Sequence, residues 1–485
     1  MKALKGILIG IVVIAVLLFA GLYALESYIE KQISKEESVE YDEFELNYKG
    51  DIQFKGLRFT NDRLSVKVKD IQLTFGLSKI LFSDTILITN ADLNDVHVDL
   101  IKADSTKSKK HYSKKKKDRK PFALEDLSVS NLDFYALKED SLGKIDTMTY
   151  VNGVTLNAHF DDLKDIQLSN LKDLKVDYLR HNAGVLHDIG CSGLTYGDQQ
   201  LKLNTFKVFT RYSKEDYINY IPEQKEHVQL VAHALSLDSL TLDINQNKLN
   251  QIAVNEIQID SFDLDVYRDK TIPQTTQIKP TYGQIFQNLG FKIDGNLLKV
   301  DHSSISYAMK GEDGKISQIE LKNVHANVKH INNKPELEQN ILLIGGFSLG
   351  ETSDVNVDIS YNQYAKVETF QLNVHAQNIE TSSLNSMLKP AVNVELTGFI
   401  TELKSHMVSK GDADGSFMLK SQDVALDVYN KKGKERKVVS FLASKLLNPP
   451  IEKHSEVVGF ERDPTRSMWR YSWYFILEGL KNTIL

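Results

Sequence analysis

From Tyr41 onward the chain alternates apolar and polar residues at period two, the pattern of a strand with one buried face and one wet face. Phe44, Leu46 and Tyr48 open the series, followed by Ile52 and Phe54, by Leu64, Val66 and Val68, and by Ile71, Leu73 and Phe75. A run of short antiparallel strands is the direct reading. The same register returns in 87–100, 127–137, 235–244, 257–266 and 319–328, each written as apolar-x-apolar, a small polar pair, then apolar-x-apolar-x-apolar. Asn and Asp at the centre suit a bulge that re-aims the strand without ending it. These segments therefore read as one unit repeated in a curved sheet. A unit that cannot bury its own apolar face stacks on its neighbours, although the irregular spacing here separates the array from a strict solenoid.

Helical patterns are few. Segments 213–221, 282–289 and 382–388 carry Ser or Thr near their starts and apolar residues at i, i+3 and i+4. They are too short to cover a long sheet. Two arrangements remain: two sheets packed as a filled sandwich, or one sheet curled into a trough whose apolar interior takes a ligand.

The stretch Ile7–Leu25 holds no charged residue. At about 1.5 Å per residue it reaches roughly 28 Å, enough to cross the hydrocarbon of a bilayer. Lys2 and Lys5 precede it, and Glu26, Glu30 and Lys31 follow, so the short end is expected in the cytoplasm and the bulk of the chain across the membrane. A cleaved export signal is the rival. The apolar core exceeds a usual signal core, no small-x-small site closes it and no cysteine is at hand for lipid attachment, which favours an uncleaved anchor. The expected layout is an anchor and juxtamembrane helix over 1–40, an elongated β domain over 41–435 and a helical segment over 436–485.

Net charge is −6, from 59 basic and 65 acidic side chains, a balance that does not suggest nucleic-acid binding. The single cysteine, Cys191, rules out an internal disulfide framework, and with only nine prolines there is no clean domain boundary. The loop 105–121 is the exception to even charge: 107–120 has nine Lys/Arg against one Asp, so its +8 leaves −14 for the rest. It reads as a solvated loop or, more sharply, as a headgroup-binding segment through Lys114, Lys115, Lys116, Lys117 and Arg119, at about 1 kcal/mol for each base near an anionic surface.

Both tryptophans fall in 466–485, where Trp469, Trp473, Ile476 or Leu477, Leu480 and Ile484 repeat at helical spacing. This stripe suits an amphipathic helix that docks on a membrane or a protein partner, with Arg466, Arg470 and Lys481 beside the headgroups. It equally suits a helix that caps the last strands.

Catalytic motifs do not hold up. Gly346-Phe347-Ser348-Leu349-Gly350 matches a nucleophile elbow, but alternating residues follow where the elbow needs a helix. Gly345–Thr352 imitates a phosphate loop with Glu351 in the lysine position, where it repels phosphate. His181, His187 and Cys191 match no standard metal spacing, and neither do His227/His233 or His325/His330. The Asp-x-Asp pairs read as the wet side of a sheet. No enzyme, cofactor or metal site is expected.

Three stretches resemble the AsmA-like family of Gram-negative envelope proteins. The basic start, the anchor and then 44–59, with its strand, turn and Gly56-Leu57 return, are similar to the family's opening. Segment 282–307, followed by Gly314-Lys315-Ile316 and a strand to Val328, resembles the short helix, strand and Ile-x-Tyr hairpin of its later part. Segment 384–403 with Gly411–Phe417 and the aromatic C-terminal helix resembles the end of its smaller members. The resemblance implies a mainly β fold: an N-terminal transmembrane helix, then an elongated, curved antiparallel sheet forming an apolar groove, with a few short helices and a C-terminal amphipathic helix. It also implies a non-enzymatic inner-membrane protein, single-pass with its bulk in the periplasm, that binds phospholipid or another acyl-chain lipid and supports outer-membrane biogenesis. The alternative is an envelope scaffold with a filled β-sandwich stalk. The C-terminal helix would then meet the outer membrane or an envelope protein. Candidate groove residues lie on one alternating face: Phe44, Leu46, Ile71, Leu73, Phe75, Ile257, Ile259, Phe262, Leu264, Leu321 and Val324. Which parity faces inward is open.

Overall fold

The computed structural model describes residues 39–47, 51–61, 64–75, 86–102, 122–139, 145–161, 167–245, 248–392, 394–429, 435–436 and 451–484. Ile7–Leu25, Lys114, Lys115, Lys116, Lys117 and Arg119 lie outside them. Among the described residues no helix is long and apolar enough to cross a membrane.

The protein is mainly β, with few helices. It divides into two compact units, Met1–Val208 with Asp238–Leu249, and Phe209–Leu237 with Asn250–Leu485. In chain order the strands begin β1 (Val39–Glu40), β2 (Glu43–Leu46), β3 (Ile52–Thr60), β4 (Leu64–Phe75), β5 (Ile86–Lys102), β6 (Phe122–Glu139), β7 (Ile145–His159), β8 (Leu171–Asn182), β9 (His187–Gly197), β10 (Gln200–Thr210), β11 (His227–Asp238) and β12 (Thr241–Asn245). The chain goes on through β13 (Lys248–Asp269), α1 (Tyr282–Gln287), β14 (Lys292–Lys310), β15 (Ile316–Asn332), β16 (Ile341–Leu349), β17 (Ser353–Tyr361) and β18 (Thr369–Glu380). It closes with α2 (Ser382–Val392), β19 (Val394–Lys410), β20 (Asp412–Val428), β21 (Ile451–Phe460) and α3 (Met468–Ile484).

In the first unit β1 and β2 pair with β3, and from β3 to β9 each strand pairs with the next. In the second, the same holds from β13 to β21. The all-antiparallel expectation needs correcting, because β5–β6 and β13–β14 run parallel. A parallel neighbour requires a long crossover return. Those two places have one: 103–121, which contains the basic segment, and 270–291, which carries α1.

The polar pairs of 87–100, 127–137 and 319–328 kink their strands as the repeat suggests, whereas Asp260-Ser261 of 257–266 shows neither a left-handed residue nor a register shift against β14. In β15, Ile319 and Leu321 precede the pair while Val324, Ala326 and Val328 follow it, a phase change that would send the two sets to opposite faces of a regular strand. An extra residue corrects it. Between Lys322 and His325 on β15 the partner advances only from Ser348 to Gly346, and Asn323 takes φ 52°. Asp95 (φ 53°) and Asn131 (φ 53°) take the same left-handed backbone in 87–100 and 127–137; β6 carries an extra residue against β7 there, while β5 stays in register with β4 and β6. Asn and Asp tolerate this left-handed geometry because their side chains find local bonds. Asn131 Nδ2 donates to Asp95 Oδ1 at 2.7 Å, and Lys69 Nζ to Asp95 Oδ2 at 3.2 Å. At Gly153 (φ 64°) a β-carbon would stand 2.3 Å from Asp177 Oδ2, so only glycine fits. In 235–244 the polar pair is instead a turn: β11 ends at Asp238, Ser239 has φ 55° and β12 starts at Thr241.

Helices form at 282–289 and 382–388 as expected. Thr281 Oγ1 accepts from the Gln284 amide at 3.1 Å and Gln284 Oε1 from the Thr281 amide at 2.9 Å, a complete capping box for α1. Segment 213–221 yields only a 3-10 turn over Tyr217–Tyr220, which lacks the side-chain cap that starts α1.

Candidate functional site

Residues paired across a sheet share a face, so the register traces where the apolar side chains run. In the first unit they form unbroken rows at right angles to the strands. One row is Phe59–Val66–Val98–Phe134–Val151–Leu179–Cys191. Another is Phe54–Ile71–Leu93–Val129–Leu156–Leu174–Tyr196, and a third is Ile52–Leu73–Ala91–Leu127–Ala158–Leu171. Phe44 and Leu46 stand opposite Phe54 and Ile52, and Phe75 opposite Ile88, so the expected lining positions of this unit share one face. Ile71, Leu73 and Phe75 are half-buried, whereas Val176, Leu179 and Leu194 further along are fully buried. Phe44 is 48% exposed, its ring 5.1 Å from that of Phe54 and 6.4 Å from that of Tyr41. The apolar face is thus partly open over β3–β5 and closed over β8–β9.

The second unit repeats the device. Ile257 heads the row Leu298–Val328–Leu343–Ile359–Leu372–Met407, and Ile259 heads Val300–Ala326. Leu264 pairs through Ile305 to Leu321, and Val324 stands opposite Ser303. Ile257, Ile259, Phe262, Leu264, Leu321 and Val324 are all half-buried. Here the chain fills much of its own interior. α2 packs on β15, β18 and β19, and α3 on β19, β20 and β21. Leu384 and Leu388 of α2 and Leu477 and Leu480 of α3 join one core with Leu396, Ile400, Phe417 and Leu426. Met468, Tyr471 and Phe475 join a second with Ile359, Phe370 and Met407.

α3 therefore caps the last strands, and its docked side shares Leu477 and Leu480 with the expected stripe but adds Met468, Tyr471 and Phe475. Met468, Tyr471, Phe475, Gly479 and Leu480 are buried, while Trp469 is 52% exposed and Trp473 and Ile476 are half-buried at the margin of the core. The side chain of Ile484 lies outside the described set. The Tyr471 hydroxyl donates to the Phe460 carbonyl at 2.9 Å, fixing the first turn of the helix. No period singled out this face, because α3 is apolar on more than one side.

The opposite face of β17–β21 is polar and forms an open cleft of about 1150 Å3 lined by Asp358, Asn373, His375, Lys404, His406, Lys420, Glu452 and His454, among others. Three of these lining residues donate to Glu402: Lys404 at 2.7 Å, Lys420 at 3.0 Å and His375 at 3.0 Å. Hydrogen bonds from Lys404 and then Lys420 pull its carboxyl down to about 2. This is the wet side that the Asp-x-Asp pairs suggested.

The dismissed motifs take structural places. Gly346–Leu349 sits in β16, which turns directly into β17 with no helix after Ser348. Cys191 is a buried member of an apolar row, and burial pushes its thiol up to about 12. The Thr149 hydroxyl and His181 Nδ1 are 2.9 Å apart. Among the described residues no group of three or more His, Cys, Asp or Glu is placed to hold a metal ion.

No protein-family model matches the chain, and a search of curated proteins finds no match.

Proposed function

We propose that this chain is a membrane-anchored protein of the AsmA-like type whose sheet faces form an elongated groove for acyl-chain lipids. The support is one observation: two apolar rows of the first unit cross from β3 to β9 and a third from β3 to β8 without a polar member, and this face stays half-open at Phe54, Ile71, Leu73 and Phe75. Each row shields a chain laid across the strands, at about 25 cal/mol per Å2 of apolar surface removed from water. Ile7–Leu25 would hold one mouth at the inner membrane, with the bulk of the chain in the periplasm and phospholipid as the cargo that outer-membrane assembly needs. The process is passive and non-enzymatic. Lys114–Lys117 and Arg119 would meet anionic headgroups.

A second reading has its own support. α2 and α3 occupy the apolar interior of the second unit, as a filled stalk would. On that reading the protein is an envelope scaffold that recruits partners.

The full chain, purified in mild detergent, separates them. Co-purified phospholipid in the mass spectrum and uptake of a fluorescent phospholipid are expected for the groove. A lipid-free protein without uptake contradicts it and leaves the scaffold.

A further inference from the structure

The start of α3 gathers positive charge that its nearby carboxylate, Asp463, offsets only in part. Tyr474 is half-buried, with one side against the core that includes Ile319 and Leu321. Over its ring lie two guanidinium groups, Arg466 Cζ at 4.6 Å and Arg470 Cζ at 5.6 Å from the centroid. Lys270, in the turn after β13, is half-buried, couples electrostatically to Arg470 and Tyr474, and donates its backbone N–H to the Lys310 carbonyl at 2.9 Å. The turn that precedes α3 is held to the 270–281 segment by the bond from the Lys279 amide to the Pro464 carbonyl, also 2.9 Å.

Neighbouring cations have partners. Arg466 Nε is 2.7 Å from Asp463 Oδ2, Arg268 pairs with Glu226 at 3.4 Å and Lys310 with Asp269 at 3.4 Å. Among the described residues Lys270 and Arg470 have no carboxylate within ion-pairing distance; Glu312 acts on Lys270, and Asp463 on Arg470, only from farther away. The first turn of α3 carries no acidic residue, and Ser467 Oγ accepts from the Arg470 amide at 3.3 Å. Burial, and then the Arg470 charge, hold the Lys270 ammonium below its usual range even though Tyr474 draws it the other way. Burial would push the Tyr474 phenol up, yet the Arg470 hydrogen bond with the Arg466 and Lys270 charges holds it down. Like charges kept together and partly desolvated are unfavourable until an anion joins them.

We propose that Lys270, Arg466 and Arg470 around Tyr474 bind the phosphate of a phosphate ester whose apolar part lies on the sheet face beside Val266, Tyr307 and Ile319. These three residues stand in one register row, which places that apolar surface on the side of the sheet that carries the Tyr474 core. Guanidinium forks and a lysine point charge suit phosphate oxygens. The apolar half of the proposal rests on the groove reading; the phosphate half does not.

The test titrates the full chain in neutral detergent with dihexanoyl phosphatidic acid, with dihexanoylglycerol, which has the same acyl chains without phosphate, and with inorganic phosphate. At least about tenfold tighter binding of the phosphatidic acid is expected. The Lys270→Gln/Arg470→Gln variant should lose that preference and keep its affinity for dihexanoylglycerol, while Arg470→Lys alone should retain part of the preference. Equal affinity of the unaltered protein for the two lipids overturns the phosphate site and leaves the groove standing. Binding of inorganic phosphate without either lipid supports the site and contradicts the groove. Binding of none of the three overturns both. Each of these three outcomes is read on the unaltered protein, so a variant that folds poorly does not affect them.

Discussion

Gly479 of α3 lies against Phe417 of β20 so closely that a β-carbon on the glycine would stand 2.9 Å from the phenylalanine ring. The helix is seated in the sheet's apolar face at a distance only glycine allows, and a β-carbon on Gly415 of β20 would likewise stand 2.9 Å from the Phe475 ring as well as 1.9 Å from the His406 carbonyl oxygen. Gly479→Ala should therefore destabilise the second unit by about 1–3 kcal/mol, since overpacking moves the helix or the ring. A denaturant midpoint unchanged from the parent's would show that α3 docks more loosely than this.

The two sides of α3 make opposite predictions. Phe475 is fully buried, and Phe475→Ala should cost about 3–5 kcal/mol. Trp469, 52% exposed, should cost within about 0.5 kcal/mol on change to Ala. Chemical denaturation of the two variants checks the pair. A larger loss for Trp469 would place the helix in the orientation its tryptophan stripe suggests.

The bulges are tested at Gly398, whose φ is 93° and whose β-carbon would lie 2.1 Å from the Asp423 carbonyl oxygen. Backbone cannot swing aside as a side chain does. Gly398→Ala should cost more than the roughly 1 kcal/mol typical of a left-handed glycine alone, read as a fall in thermal midpoint. An unshifted midpoint would contradict the bulge at this strand.

Glu402 supplies a pH dependence of defined sign. Its carboxyl titrates near 2 in the folded chain, below the ordinary 4.5, because Lys404 and Lys420 donate to it. A depressed folded-state value stabilises fully above about 4.5 and is lost as pH falls toward 2. Glu402→Gln should be less stable than the parent at pH 7, and the difference should shrink steadily below pH 4.5. The group is on the wet face, so the effect is small and weakens with added salt. A gap that stays constant down to pH 2 would assign the loss to packing instead.

Much of the sheet was legible because its chemistry is local. At three of the repeats the polar pair re-aims the strand, and Asn131, Asp95 and Asn323 carry the left-handed backbone there. Shared faces followed as well: Phe44, Leu46, Ile71 and Leu73 fall on one side through pairings that alternation alone implies. What sequence did not reveal depends on contacts distant in the chain. The parallel pairs β5–β6 and β13–β14 follow from where crossover segments return, which no period encodes. The polar pair at 238–239 makes a turn because the strand ends there, although its composition matches the bulges. On the docked side of α3, Leu477 and Leu480 were legible but Met468, Tyr471 and Phe475 were not, because two apolar sides compete and the close fit of Gly479 on Phe417, invisible to a hydrophobic period, favours one of them. The phosphate-site cations were seen as flanking charges of α3, but Lys270 reaches them only through the fold.

The central claim is that acyl chains lie on the apolar face of the first unit, and strand parity offers the most direct measurement. A photo-crosslinking amino acid placed at Leu73, on that face, should capture phospholipid in cells. The same group at Gln72, which is exposed on the other face of β4, should not. Capture at 73 alone is the predicted result; capture at neither position, or equally at both, would contradict the groove.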